Sequence, residues 1–449
     1  MSAKLKSARA CLLGVAAGAL LGGGLPALAD APAQVYKPGF VSVEWSETNG
    51  EKWTVEGLAD RESGRPMTRD TVFAICSNTK PVASVFALTF VEEGLFDLDD
   101  PVSKYFPEFA NIKYKGKPPK RPVTLRHLLT HLSGLAYTGA TKDRKPDMVP
   151  YEEQVKVAVQ KGLRSEPGEA YQYCGLGFQV MAAVIEKLTG RKVPDLMKER
   201  IFDPLGMTET TFYPSEKMLE RLAIPYYYPA EDVKPIRFEI SKIWTPPMDN
   251  RARTALLSGG LFSTVDDYLK FSQMMVRKGV GVNGKRILSE KMFDDYLLKR
   301  QTPPGDKVNS SFDIGFNKAH TSGSKGGLFA TSARWNWADR SCIVRFKAKN
   351  VCIPKNILDE VAKTKHGKVK TGGPKTTFSV TDVVIADGRA SCQVGNREDR
   401  FGIAVVKLVV NGKEVARKQV ELAIGETKSV EFSYAAKPDD KVTFKAVSL

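Results

Sequence analysis

The 449-residue chain has only four histidines and six cysteines, and neither falls in a metal-binding pattern. No C-x-x-C pair occurs. The closest histidines, His127 and His131, lie in His-Leu-Leu-Thr-His, without the glutamate of H-E-x-x-H. Capping and packing around a helix end is therefore the plainer reading of both, and no metal or organic cofactor is expected. The G-x-S-x-G nucleophile elbow is missing too, which leaves an α/β-hydrolase triad unsupported. Beyond the N-terminus no apolar run is long enough to span a bilayer. Disorder is excluded for most of the length by 42% hydrophobic residues spread evenly along it. The net charge of +16 is strongly basic, yet no zinc finger, RRM-like aromatic signature or basic helix accompanies it. Nucleic acid is not an expected partner.

What is present begins with an address. Lys4, Lys6 and Arg9 precede an apolar, glycine-rich stretch from Ala10 to Leu25, and Ala27-Leu28-Ala29 supplies small residues for cleavage. Residues 1–29 read as a signal peptide, so the expected location is secreted or periplasmic, with no stable membrane span after cleavage. Five cysteines then remain, at irregular spacing and odd in number, which is not a disulfide framework.

The length suggests two or three domains. Phe40 to Trp45 alternates, Asn49-Gly50 turns and Trp53 to Val55 returns, which predicts a hairpin. Helical patterns follow over Pro81–Glu93, Leu125–Leu132, Gly177–Leu188 and Val265–Val276. Strand character resumes at Phe329–Trp337 and Ser341–Ala348, and Ile357–Ala362 has a helical pattern. A chain that starts and ends in strand around a helical middle predicts an α+β domain over residues 30–362, a sheet with a helical lobe. Residues 363–375 (KTKHGKVKTGGPK) make a basic linker. Residues 376–449 then carry short apolar runs and no helix, with Asn411-Gly412 as a hairpin turn. That pattern predicts a small all-β sandwich. It resembles the bacterial adhesion-type, immunoglobulin-like sandwiches, through Val394-Gly395-Asn396, Val410 to Lys413 and Ile424-Gly425-Glu426. Such a domain is either a spacer or an anchor to acidic cell-envelope polymer.

The chemistry sits in Ser77-Asn78-Thr79-Lys80, an S-x-x-K just ahead of an apolar helix. Spacing of three puts the Ser77 hydroxyl and the Lys80 amine on one face, a turn apart. A lysine shielded from water loses some preference for its charged form and can accept the serine proton. At a helix start the Ser77 N–H is also free to meet a developing oxyanion.

Further blocks follow in order. Phe73 to Pro81, Thr124 to Leu135 (T-L-R-H-L-L-T-H-L-S-G-L), Pro167-Gly168 leading to Tyr171-Gln172-Tyr173, Gly259 to Asp267, and Lys325-Gly326-Gly327 together resemble the serine β-lactamase and penicillin-binding-protein superfamily, in particular its class C-like and esterase branch. The likeness covers about residues 38 to 350. It implies a β-lactamase-like mixed α/β domain built on an antiparallel sheet. It also implies roles: Ser77 as acylated nucleophile, Lys80 in the proton-transfer network, and Tyr173 as general base with two lysines beside it. Lys325, Gly327 and Leu328 would bind substrate, Lys325 through a carboxylate and the Leu328 N–H as the second oxyanion donor beside that of Ser77.

Two positions depart from the family pattern. Gly175 stands where Y-x-N has asparagine, and Gly326 where K-T-G has a hydroxyl residue. Both remove recognition groups while sparing nucleophile, base and oxyanion donors, which favours an ester or divergent amide substrate. A β-lactamase, a D-alanyl-D-alanine carboxypeptidase-type enzyme acting on peptide, and an inactive binding protein of the same fold remain alternatives. Cys76 and Cys174 flank Ser77 and Tyr173, so a bridge between them and two free buried thiols are both open.

Overall fold

A computed structural model describes residues 35–229, 233–302, 312–353, 378–386, 389–396, 402–422, 427–434 and 440–448. The proposed signal peptide, the linker and the helical pattern at Ile357–Ala362 lie outside the described residues.

The predicted hairpin is β1 (Phe40–Ser46) and β2 (Gly50–Glu56), paired from Phe40 with Glu56 to Ser46 with Gly50. The middle of the chain supplies α1 (Thr79–Glu92), α2 (Leu125–Leu129), α3 (Tyr151–Lys161), α4 (Leu176–Thr189) and α5 (Val265–Val276). Four later strands, β3 (Asn317–Lys318), β4 (Ser322–Gly326), β5 (Ser332–Asn336) and β6 (Ser341–Lys347), complete a six-stranded sheet in the order β2-β1-β6-β5-β4-β3. Every pair is antiparallel, as expected.

The inward phase of the sheet carries Val41, Val43, Ala333, Trp335, Val344 and Phe346, and these share one core with Val82, Val85, Phe86 and Phe90 of α1 and Leu269 of α5. Phe86 and Phe90 are fully buried, each worth about 1.5–3 kcal/mol of apolar transfer. Truncating Phe86 to alanine would cost about 3–5 kcal/mol through the cavity left behind. Pro81 sits in the first turn of α1, where a missing N–H goes unnoticed, and Gly94 ends the helix at φ +72°.

Two boundaries differ from the sequence pattern. The helix expected to reach Leu132 stops at Leu129, because His131 takes a left-handed backbone at φ +60° and turns the chain towards the site. The strand expected from Phe329 starts at Ser332, because Gly327 to Ala330 form a turn, closed by the Ala330 N–H on the Gly327 carbonyl (3.1 Å).

The C-terminal strands β7 (Phe378–Ala386), β8 (Arg389–Asn396), β9 (Gly402–Val410), β10 (Lys413–Leu422), β11 (Thr427–Ser433) and β12 (Val442–Ser448) form two antiparallel sheets, β7-β8-β11 and β10-β9-β12. They have a core of their own around Cys392, Val394, Val406, Leu408 and Phe432. Strand β8 carried little signal, since Ser391, Gln393 and Gly395 alternate with the small Ala390 and Cys392. No helix among the described residues is long and apolar enough to cross a membrane.

Candidate active site

A two-residue strand, Phe73–Ala74, pairs with Phe262–Ser263 and delivers the chain to a tight turn at Cys76–Asn78 before α1. Cys76 is held at φ +48°, a conformation that L-residues adopt at a cost of roughly 1–2 kcal/mol. The turn leaves Ser77 half-buried between neighbours that are all buried. Behind it the Tyr268 hydroxyl donates to the Asn78 carbonyl (2.8 Å) and fixes the turn to α5.

One helical turn on, Lys80 is 1% exposed. Its amine lies 3.4 Å from Ser77 Oγ and donates to the Ser258 carbonyl at 2.6 Å. Tyr173 reaches the nucleophile from the segment before α4 and donates its hydroxyl to Ser77 Oγ at 2.8 Å. That segment is anchored by the Gly175 and Leu176 N–H groups, which both donate to the Tyr137 carbonyl (2.8 and 3.0 Å). Lys325 occupies an inward position of β4, where the alternation of the strand turns it from solvent, and it is 2% exposed. Its amine stands 4.9 Å from the Tyr173 ring centroid and 5.1 Å from that of Phe312, while Lys80 approaches the Tyr173 ring to 4.5 Å. Lys80 and Tyr173 thus meet at the Ser77 hydroxyl, and Lys325 stands beside the Tyr173 ring.

Gly327 and Leu328 open the turn after β4. The Leu328 and Phe329 N–H groups face the Cys76 sulfur, a weak acceptor, while burial pushes that thiol up to about 12. Cys174 is also free: its thiol donates to the Ala136 carbonyl at 3.1 Å, and burial raises it to about 11. The bridge between the two cysteines is not formed.

The histidines do what the plainer reading assigned them. His127 closes a capping box with Thr124 at the start of α2, taking the Thr124 N–H on Nδ1 (3.1 Å). His131 is fully buried beneath the site, its ring centroid 4.4 Å from those of Tyr173 and Phe312, and its Nδ1 accepts the Cys174 N–H at 3.1 Å. Burial first, and then the charges of Lys80 and Lys325, hold it well below the usual histidine range, so the ring is neutral. Among the described residues no three His, Cys, Asp or Glu side chains converge as metal ligands.

A hydroxyl in contact with a phenol and an ammonium, over a helix start and a glycine-rich turn, is an arrangement for acyl transfer to serine. The model of the Beta-lactamase family matches residues 27–353. The chain belongs to that family. Within it, Esterase EstB of Burkholderia gladioli is 37% identical over 184 residues, 38% of this chain and 46% of that protein. Protein Rv1367c of Mycobacterium tuberculosis (strain ATCC 25618 / H37Rv) is 30% identical over 267 residues, 56% of this chain and 65% of that protein. The chain therefore matches less than two thirds of either relative's length. Among solved structures, EstCE1, a hydrolase with promiscuous acyltransferase activity, shares the fold at a TM-score of 0.58 and 22% identity, over 70% of this chain and 89% of that one.

The structure of this Beta-lactamase family member also brings in residues that sequence reasoning passed over. Ser258 supplies the carbonyl for Lys80, and its hydroxyl accepts from Gln179 Nε2 at 2.7 Å. A Cβ at Gly175 would come within 3.0 Å of Ser258 Oγ, so serine fills the space that an asparagine side chain would enter. Phe312 covers Lys325 and His131. Ser258 could have been sought one residue ahead of Gly259-Gly260; Phe312 lies in no motif and gave no signal.

Proposed function

We propose that this chain is an exported serine hydrolase that cleaves esters of neutral acyl groups through an acyl-serine intermediate. The observation carrying the proposal is the contact of Ser77 Oγ with both the Tyr173 hydroxyl and the Lys80 amine. In this reading Tyr173 reacts as the phenolate, so that the 2.8 Å contact runs from Ser77 to Tyr173, and as Ser77 Oγ attacks the ester carbonyl its proton passes to the phenolate oxygen. The two ammonium groups beside the Tyr173 ring favour negative charge on its oxygen. The carbonyl oxygen takes the negative charge and is met by the N–H groups of Ser77 and Leu328. A charged oxygen is a far better acceptor than the Cys76 sulfur that Leu328 faces beforehand. Collapse of the tetrahedral centre expels the alcohol, which takes up the proton. Water, deprotonated by the same phenolate, then releases the acid and restores Ser77.

The preference for a neutral acyl group rests on the cation that would otherwise recognise a carboxylate. Lys325 is covered by Tyr173 and Phe312, and Gly326 brings no hydroxyl to assist it. Mass spectrometry after a serine-directed fluorophosphonate, beside Ser77→Ala, tests the nucleophile; short acyl esters and a chromogenic cephalosporin test the substrate. A single adduct on Ser77 with ester turnover well above cephalosporin turnover is expected. Faster lactam turnover would overturn the substrate class, and no adduct on a folded sample would leave a binding protein. The basic stretch 363–375 and the strands after it are proposed as an attachment to acidic envelope polymer, tested by retention on cell envelopes that declines with salt.

A further inference from the structure

The two N–H groups proposed to meet the oxyanion come from segments about 250 positions apart in the chain, and their separation must be set by something between them. Thr331 occupies that place. It is 1% exposed, and its Oγ1 donates to the Ile75 carbonyl at 2.9 Å, two residues before the nucleophile. The same oxygen accepts from Asn78 Nδ2 at 2.9 Å, one residue after the nucleophile. Its own carbonyl accepts the Gly327 N–H at 2.8 Å, at the base of the turn that carries Leu328. One residue therefore ties both flanks of Ser77 to the turn opposite.

Gly327 is part of the same device. A Cβ there would fall 2.3 Å from Thr331 Oγ1 and 2.6 Å from the Ile75 carbonyl, so glycine is what lets the hydroxyl reach across. The segments it joins both hold strained residues, Cys76 at φ +48° and Ala330 at φ +54°. Such conformations persist where their surroundings over-determine them.

We propose that Thr331 is a positioning residue that fixes the Leu328 N–H relative to the Ser77 N–H, and so sets the oxyanion site. The proposal rests on the oxyanion assignment made above. Thr331 is buried and its hydroxyl is taken up by Ile75 and Asn78, so its effect should show as lost stabilisation of charge on the carbonyl oxygen.

The test compares an alkyl ester with the thionoester of the same skeleton, whose sulfur is larger and a poorer hydrogen-bond acceptor. In the native enzyme the ester should be strongly preferred. Thr331→Val, nearly the same shape without the hydroxyl, should lower kcat for the ester by about tenfold or more, leave KM within about threefold, and compress the ester-to-thionoester ratio. Thr331→Ser should restore both. If Thr331→Val does not fold, Asn78→Ala removes the neighbouring donor and should compress the ratio in the same direction. A parallel fall for both substrates, an unchanged ratio, or no recovery in Thr331→Ser would overturn the proposal. A native enzyme without ester preference would instead sink the oxyanion assignment itself.

Discussion

Gly175 and Gly326 are equivalent in sequence, each a glycine where a polar side chain is expected, yet the structure predicts opposite outcomes for restoring that side chain. At Gly175 a Cβ would meet Ser258 Oγ at 3.0 Å, the Tyr137 carbonyl at 3.2 Å and Ser258 Cβ at 3.4 Å. Ser258 cannot retreat freely, because Gln179 holds its hydroxyl and Lys80 its carbonyl. Gly175→Asn should therefore cost about 1–3 kcal/mol of overpacking, a fall in Tm of roughly 2–5 °C for a domain spanning residues 35–353. Shifting Ser258 also drags the Lys80 amine from Ser77, and a displacement near 1 Å can cost about a hundredfold in rate. At Gly326, which is exposed, the nearest atom to a new Cβ is the Thr331 carbonyl at 3.9 Å. Gly326→Thr should leave Tm within about 1 °C, as surface changes do. Its hydroxyl adds one hydrogen bond to a substrate carboxylate, which would raise the cephalosporin-to-ester ratio of kcat/KM by about tenfold. Thermal unfolding and the two kcat/KM values, measured on both variants, decide the matter. Native Tm and native ester kcat in Gly175→Asn would refute the packing argument, and an unfolded Gly326→Thr would refute the claim of open space.

Other outcomes follow from the same contacts. Tyr173→Phe removes the 2.8 Å donor to Ser77 and should lower kcat by about 10²–10⁴-fold with little change in KM, read by ester hydrolysis. His127 is lowered to about 4, by burial first and then by the Arg121 charge. Its folded form binds fewer protons than the unfolded chain, so its contribution is complete above about pH 6.5 and is lost as the pH falls towards 4. That contribution is at most about 3 kcal/mol, and His127→Gln should flatten the decline of Tm between those limits. Asp147, fully buried, pairs with Arg253 at 3.4 Å and accepts the Thr245 N–H at 2.7 Å. Asp147→Ala leaves the buried guanidinium without its countercharge, for a loss of about 3–5 kcal/mol and a Tm lower by roughly 4–7 °C in thermal unfolding.

The hairpin, the long helices and the S-x-x-K turn were legible because each is decided locally. Alternation gives β1 and β2, a 3.6-residue period gives α4 and α5, and three-residue spacing puts Lys80 under Ser77. Lys325 was legible only through a motif, since its meeting with Tyr173 depends on the phase of β4 within a sheet of six strands. Thr331, Ser258 and Phe312 were not legible. Their partners lie far along the chain, Ile75 for Thr331 and Lys80 for Ser258, and although Ser258 adjoins the Gly259-Gly260 block, no local pattern encodes which residue it meets. Helix ends failed where a non-glycine residue adopts a left-handed backbone, as His131 does, because propensity offers no warning of it.

All five described cysteines are free and buried, including those beside Ser77 and Tyr173. While the chain stays folded, the packing keeps oxidants and alkylating reagents from these thiols, and the high values of Cys76 and Cys174 leave little thiolate to react. Unfolding removes that protection from all five at once, and thiols brought together out of their native surroundings can then pair within or between molecules. In an oxidising medium, opening the chain thus exposes it to mispaired or intermolecular disulfides. Irreversible loss there would then follow the rate of unfolding, and recovery of activity after denaturation should improve with a reductant.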